Sequence, residues 1–133
     1  MRVEGELVGE IGEGLLVLLG VGDGDSSAQA RKLADKLARL RVFDGDGGRM
    51  DRSLVDLGAG ALCISQFTLY GDTRRGLRPS FTDAADPVLA ERLYDEFCQA
   101  LEERGVRVAR GRFGARMSVS LVNEGPVTLL LES

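Results

Sequence analysis

Three short stretches hold the residues whose types and spacing could do chemistry. Ser65-Gln66-Phe67-Thr68 opens SQFTLYGD and follows the apolar run Ala61 to Ile64. A buried strand that ends in hydroxyls, an amide and free backbone N–H groups can stabilise a developing oxyanion without ionisable side chains. The plainer alternative is a strand end capped by polar residues. Thr68 or Ser65 as a nucleophile would need an activating base, and the chain has no histidine. That excludes Ser-His-Asp and Cys-His systems. The acidic residues show no spacing that argues for a paired acid and base. The second stretch, NEGPVT from Asn123 to Thr128, lies between the strand-like runs RMSVSLV and VTLLLES. Proline cannot donate to a sheet ladder and glycine weakens a strand, so Gly125-Pro126 is either a turn or a functional piece of backbone. The third, DTRRGLRPSF, sets Arg74, Arg75 and Arg78 beside Pro79 in a loop, which is either a solvated segment or an anion contact.

Other matches fail on chemical grounds. GVGDGD places Asp25 where a dinucleotide loop needs its third glycine, and Asp23 and Asp25 would repel phosphate. In DGDGGRMDRSLV, Gly48, Arg49 and Val55 replace an oxygen ligand, the required glycine and the closing glutamate of a calcium loop. Cys63 and Cys98 have no motif partner nearby and read as buried thiols in a reducing compartment. With two separated cysteines and no histidine, no metal is expected.

The totals set the frame. The 133 residues are 44% hydrophobic and 29% charged, the composition of a globular chain long enough to bury its own core. One domain spanning 1–133 is expected. No apolar run approaches the roughly 18 residues of a membrane span, and MRVEGELVGE lacks a signal-peptide core, so cytoplasmic location without a membrane partner is the expectation. A net charge of −4 argues against loose polyanion binding but not against a local basic site.

The elements that must position these residues follow from pattern. ELVGEIG and GLLVLLGVG read as a hairpin around Gly12-Glu13-Gly14, the second strand apolar throughout and so buried on both faces. DGDSSAQARKLADKLARLRVF starts with Asp and Ser as N-cap candidates and sets Ala30, Leu33, Ala34, Leu37 and Leu40 on one helical stripe. Short strands are expected around Met50 and Leu54, and ALCISQFTL is a buried strand. A second helix opens at Asp86 with Pro87 in its first turn and ends before Gly105, with Leu89, Leu93, Phe97 and Leu101 inward. VRVARG, RMSVSLV and PVTLLLE read as strands with no helix between them, free to pair antiparallel. The fold class is α/β of α+β character: a mostly antiparallel or mixed β scaffold covered by two helices.

Together, SQFTLYGDTRRGLRPSF, GRFGARMSVSLVNEGPVT and GELVGEIGEGLLVLLGV closely resemble the D-aminoacyl-tRNA deacylase family, over essentially the whole chain from about Gly5 to Ser133. The resemblance implies a cytoplasmic homodimer, without cofactor, that hydrolyses the ester joining a D-amino acid or glycine to the 3′ end of tRNA. Ser65, Gln66, Phe67 and Thr68 would line the pocket, with the Phe67 N–H toward the oxyanion. Gly125 and Pro126 would form a cis pair inserted into the partner subunit's site as a chirality filter, braced by Asn123 and Thr128. An X-Pro bond loses only about 0.5–1 kcal/mol on going cis, against about 3 for other residues, and glycine lets backbone approach a ligand closely. The reaction would lean on backbone donors, a water nucleophile and the substrate's 2′-hydroxyl, with a covalent Thr68 as the alternative. Arg74, Arg75 and Arg78 become candidates for tRNA phosphates, with Arg112 and Arg116 behind them.

One departure stands out. Family members usually begin with an extra strand containing Gln-Arg-Val, roughly a dozen residues ahead of the stretch matching Gly5 to Gly12, and its arginine helps fix the Gly-Pro pair. Its absence implies a less constrained filter and an uncovered sheet edge. It leaves open a misassigned start or a truncated protein, the latter including a non-catalytic tRNA- or D-amino-acid-binding module on the same scaffold.

Overall fold

A computed structural model of the protein describes residues 1–124 and 127–133. Its centre is a parallel sheet of β3 (Gly14–Leu19), β6 (Gly60–Ser65) and β7 (Arg107–Arg110), in the order β3-β6-β7. Gly60 to Ile64 are all buried, as expected of an unbroken apolar run covered on both faces. The two faces carry different layers. Ala61 and Cys63 pack with Leu37, Phe97 and Leu101 of the helices, while Leu62 and Ile64 meet Met1 and Val3, with Ile11, Met117 and Val119 around them.

Helix α1 (Ser27–Arg39) is capped by Ser26, whose N–H donates to the Gln29 side chain at 2.8 Å. Of the expected stripe, Ala34 and Leu37 are buried, and Ala30 and Leu33 pack partly buried against the core. In α3 (Pro87–Glu103) the Asp86 carboxylate accepts from the Val88 and Leu89 N–H groups at 3.0 and 3.1 Å. Pro87 sits at N1, and Gly105 leaves the helix with φ +86°, a left-handed conformation that glycine adopts at no steric cost. Leu93, Phe97 and Leu101 face inward as expected. Tyr94 is buried beside them, its hydroxyl donating to the Cys63 carbonyl at 2.6 Å and accepting the Gly111 N–H at 3.2 Å. Cys63 and Cys98 are free and buried. The fold brings them together: the hydrogen bond to Cys98, then burial, pushes the Cys63 thiol far up in pKa.

The mixed α/β class and both long helices agree with the pattern reading, while strand pairing departs from it in four places. Glu6–Leu7 (β2) pairs antiparallel with Arg2–Val3 (β1) around Glu4-Gly5 rather than with β3. Strand β3 instead pairs with β6 in parallel, α1 lying in the connection between them. VRVARG likewise pairs with β6, and α3 is the crossover that a parallel pair requires. Met50 lies in β5 (Met50–Arg52), a hairpin partner of β4 (Phe43–Asp44), but Leu54 starts the helical turn α2 (Leu54–Leu57). There the Ser53 and Asp56 capping box outweighs β propensity. Finally, RMSVSLV contributes an isolated antiparallel bridge between Arg2 and Ser118, and the described part of PVTLLLE forms no strand. Apolar β-formers make a strand only where a ladder partner exists.

Two substitutions test this core by chemical denaturation. Phe97, 1% exposed, should cost roughly 3–5 kcal/mol on truncation to alanine. Asp86→Ala should cost about 1 kcal/mol through the lost cap.

Candidate active site

The end of β6 builds the site from main chain. The Gln66 N–H donates to the Leu19 carbonyl at 2.8 Å, carrying the β3–β6 ladder one bond past β6. The chain then folds into a 3₁₀ turn, Phe67–Tyr70. Leu69 is the first donor inside the turn, bonded to the Gln66 carbonyl at 3.3 Å, so the N–H groups of Phe67 and Thr68 take no part in its internal bonding. The Gln66 amide donates to the Thr68 hydroxyl. Ser65 and Gln66 are half-buried, whereas Phe67 and Thr68 are exposed. The structure thus gathers Ser65, Gln66, Phe67 and Thr68 at the carboxyl end of two parallel strands, where open α/β sheets place their ligands.

The Phe67 ring meets Phe81 edge to face, centroids 5.1 Å apart. Gly71 closes the turn by donating to the Thr68 carbonyl at 2.9 Å, and a Cβ there would lie 3.1 Å from the Phe81 ring. No group in the turn is a base at neutral pH, so what it can offer a carbonyl carbon is polarisation and positioning. Among the described residues no group of three or more metal-ligating side chains converges.

The arginine loop leaves this turn as a closed hairpin. Asp72 and Ser80 exchange backbone hydrogen bonds of 2.7 and 2.9 Å. Arg74 folds back onto Asp72 with two side-chain bonds of 2.9 and 2.8 Å, and its N–H adds a third at 2.9 Å. The hydrogen bonds from the Arg74 side chain and backbone hold the Asp72 carboxyl down at about 2. Arg74 is therefore committed within the loop. Arg75 and Arg78 are exposed and, among the described residues, form no ion pair. Arg112 and Arg116 are exposed as well. The sequence reading missed Asp72 and Phe81. An Asp two positions before an Arg is a local signal for such a turn, but nothing in the sequence pairs Phe81 with Phe67.

The second motif lies elsewhere. The Asn123 amide donates to the Thr128 hydroxyl at 3.2 Å, a bond between side chains rather than from side chain to backbone. Gly125 and Pro126, the pair expected to form a chirality filter, lie outside the described residues. Asn123, Glu124, Val127 and Thr128 line a groove of about 1750 Å³ against β3 and α1. Ser65 to Thr68 do not line it, whereas Leu69 and Tyr70 of the same turn do. The groove thus brings the described part of NEGPVT to the far end of the Phe67–Tyr70 turn.

Residues 1–132 match the D-Tyr-tRNA(Tyr) deacylase family. The chain is 60% identical over 133 residues to the D-aminoacyl-tRNA deacylase of Roseiflexus sp. (strain RS-1), covering 100% of this chain and 86% of that protein. It is 54% identical to the D-aminoacyl-tRNA deacylase of Halalkalibacterium halodurans, covering 100% of this chain and 91% of that one. Among solved structures, the c-Myc DNA Unwinding Element Binding Protein superposes with a TM-score of 0.91 at 37% identity, over 99% of this chain and 90% of that one.

The Asp72 clamp has a pH signature. Its folded pKa lies below the ordinary 3.8, so the stabilisation is fully present above that value and is lost as pH falls through about 2. A carboxyl-carbon NMR titration should show the Asp72 midpoint near 2 and its return toward 3.8 in Arg74→Ala. A midpoint near 3.8 in the intact protein would show that the clamp does not form in solution.

Proposed function

The chain belongs to the D-Tyr-tRNA(Tyr) deacylase family, and from that premise we propose that it hydrolyses the ester between a D-amino acid, or glycine, and the 3′ end of tRNA. The observation that carries the mechanism is the turn at the end of β6, where the Phe67 and Thr68 N–H groups are left over from the turn's own hydrogen bonding beside the Gln66 and Thr68 side chains. In this reading the Phe67 N–H stabilises the oxyanion that forms when water attacks the ester carbonyl. The Gln66 to Thr68 hydrogen bond holds both polar groups in register beside it. With no histidine in the chain, the proton is handled by the substrate's 2′-hydroxyl and by solvent, and preorganised dipoles carry the rate. Thr68 lacks a base to activate it as a covalent nucleophile.

Selection among substrates is assigned to Gly125-Pro126, presented as a rigid cis pair to the site of the partner subunit in a cytoplasmic homodimer. An L side chain would strike main chain, while hydrogen or a D side chain would not, and such a filter is blind to side-chain identity. The Asn123 to Thr128 bond supports their role as a brace, since it spans the pair. For tRNA phosphates, Arg75 and Arg78 are better candidates than Arg74, whose charge is already met by Asp72. This is chiral proofreading by a single domain, residues 1–133, with no cofactor.

The protein should release amino acid from D-aminoacyl- and glycyl-tRNA and spare L-aminoacyl-tRNA. Cleavage of the L ester would overturn the filter, and failure on all three would favour a binding module. Phe67→Pro removes one N–H at a position whose backbone tolerates proline and should lower kcat by about 10²–10³, whereas Phe67→Ala keeps the donor and most of the activity. An acyl-enzyme trapped on Thr68 would replace this mechanism with a covalent one. Each of Arg75→Ala and Arg78→Ala should flatten the slope of log affinity against log salt by roughly 0.7–0.9. An unchanged slope would remove that arginine from the interface.

A further inference from the structure

Of the three glycines of GVGDGD, only Gly24 has a backbone that calls for glycine, with φ +87°. Gly20 and Gly22 are absent from the positive-φ residues, so an L side chain would suit both on conformational grounds. What crowds one is Tyr70. A Cβ at Gly20 would lie 3.1 Å from Tyr70 Cε2 and 3.2 Å from Leu69 Cβ, and one at Gly22 would lie 2.7 Å from the Tyr70 hydroxyl oxygen and 2.9 Å from Cζ. The ring is laid along the bare backbone where the chain leaves β3.

That backbone is a fixed floor. The Gly22 N–H donates to the Asp25 carboxylate at 2.7 Å. The Val21 carbonyl accepts from the Ala85 N–H at 2.9 Å, and the Asp23 N–H donates to the Asp83 carbonyl at 2.9 Å. Tyr70 is the last residue of the 3₁₀ turn whose first two residues are Phe67 and Thr68. Phe81 meets both Phe67 and the bare backbone of Gly71. Two aromatic contacts thus seat the turn: its own Tyr70 ring on Gly20 and Gly22, and the Phe81 ring against Phe67 and Gly71. Burial, then the Asp25 and Glu132 carboxylates, pushes the Tyr70 hydroxyl up in pKa, so the ring stays neutral at working pH.

We infer that Tyr70 is a positioning residue for the deacylation reaction: its ring, seated on Gly20 and Gly22, sets the height and tilt of the turn that presents the Phe67 N–H. Tyr70 acts through the placement of a donor whose benefit depends on its distance from the oxyanion, and displacements of about 1 Å from the productive geometry can cost up to about 10² in rate. The inference rests on Phe67 being the oxyanion donor.

The test is steady-state kinetics on D-aminoacyl-tRNA for Tyr70→Ala, Tyr70→Phe, Gly22→Ala, the double variant Gly22→Ala/Tyr70→Ala and Phe67→Pro, each with its melting temperature. Tyr70→Ala should lower kcat about tenfold with KM within about twofold, and Tyr70→Phe, which keeps the ring, should restore kcat. Gly22→Ala should lower kcat by lifting the ring, and the double variant should be no slower than Tyr70→Ala alone, because the clash then has no ring to act on. If Phe67→Pro loses activity while Tyr70→Ala keeps its kcat, or loses only KM, the positioning role is overturned and the oxyanion assignment stands. Should Phe67→Pro keep full activity, the oxyanion assignment falls and the positioning role falls with it.

Discussion

The parallel ladder between β3 and β6 is the constraint on which the rest depends. Its register runs from Gly14 opposite Gly60 to Leu19 opposite Ser65, and a Cβ on Gly14 would overlap the Gly60 carbonyl. Burial locks that register. Ala61 and Cys63 serve the helical face, and Leu62 and Ile64 serve the other. A slip by one residue would exchange small for large side chains on both faces at once. Because the strands run in the same direction, the ladder delivers Gly20 to Gly22 and Gln66 to Tyr70 to the same sheet edge. The turn and the floor beneath it are neighbours for that reason alone, although some forty residues of helix, hairpin and turn separate them in sequence.

Such a site suits a chain without histidine. Side-chain acid–base chemistry needs groups whose pKa values are tuned by their surroundings, and the shifted groups here have other duties. The Cys63 thiol and Tyr94 are pushed up in the core, where they join α3 to β6, and Asp72 is held down by Arg74 in the loop beyond the turn. What remains at the end of β6 is main chain, and main-chain donors are effective to the extent that they are already aimed before the reaction begins. Rigidity is then the functional property. The rings of Phe81 and Tyr70, packed against glycine backbone, supply it through dispersion and excluded volume rather than charge.

Much of this was legible in the sequence, and what was not has a common physical cause. The helices could be read because their determinants are local: the Ser26 and Asp86 caps, Pro87 at N1, Gly105 beyond the end, and a stripe of period near 3.6. SQFT stood out because polar residues directly follow a fully apolar strand, a pattern that a capped strand end satisfies equally, and only the family resemblance turned it into a candidate site. Strand partnership could not be read, since it is decided by which edge is open in three dimensions. VRVARG, adjacent in sequence to RMSVSLV, pairs instead with β6 across the whole of α3. The same holds for Cys63 with Cys98 and Phe67 with Phe81, contacts that join residues of unremarkable local context. Arg74 is the instructive intermediate case. Its position in a basic loop was plain, but its charge is already met by Asp72 two residues earlier.

The C-terminal segment follows a different logic. Leu121, Val122, Leu129 and Leu130 are between 58% and 89% exposed, flanking the Asn123 to Thr128 bond. Single exposed apolar residues need no explanation, but a cluster of this kind on one segment is what a contact surface looks like before its partner is in place. In the proposed homodimer the covering molecule is a second copy, and the consequence is mechanistic. A filter carried on such a segment is held in place by the interface that buries it, while the donors it guards are fixed independently by the β3–β6 ladder of the other subunit. Discrimination would then depend on dimerisation, whereas the turn that carries Phe67 and Thr68 is anchored within its own chain by the Gln66 to Leu19 bond and the Phe67–Phe81 contact.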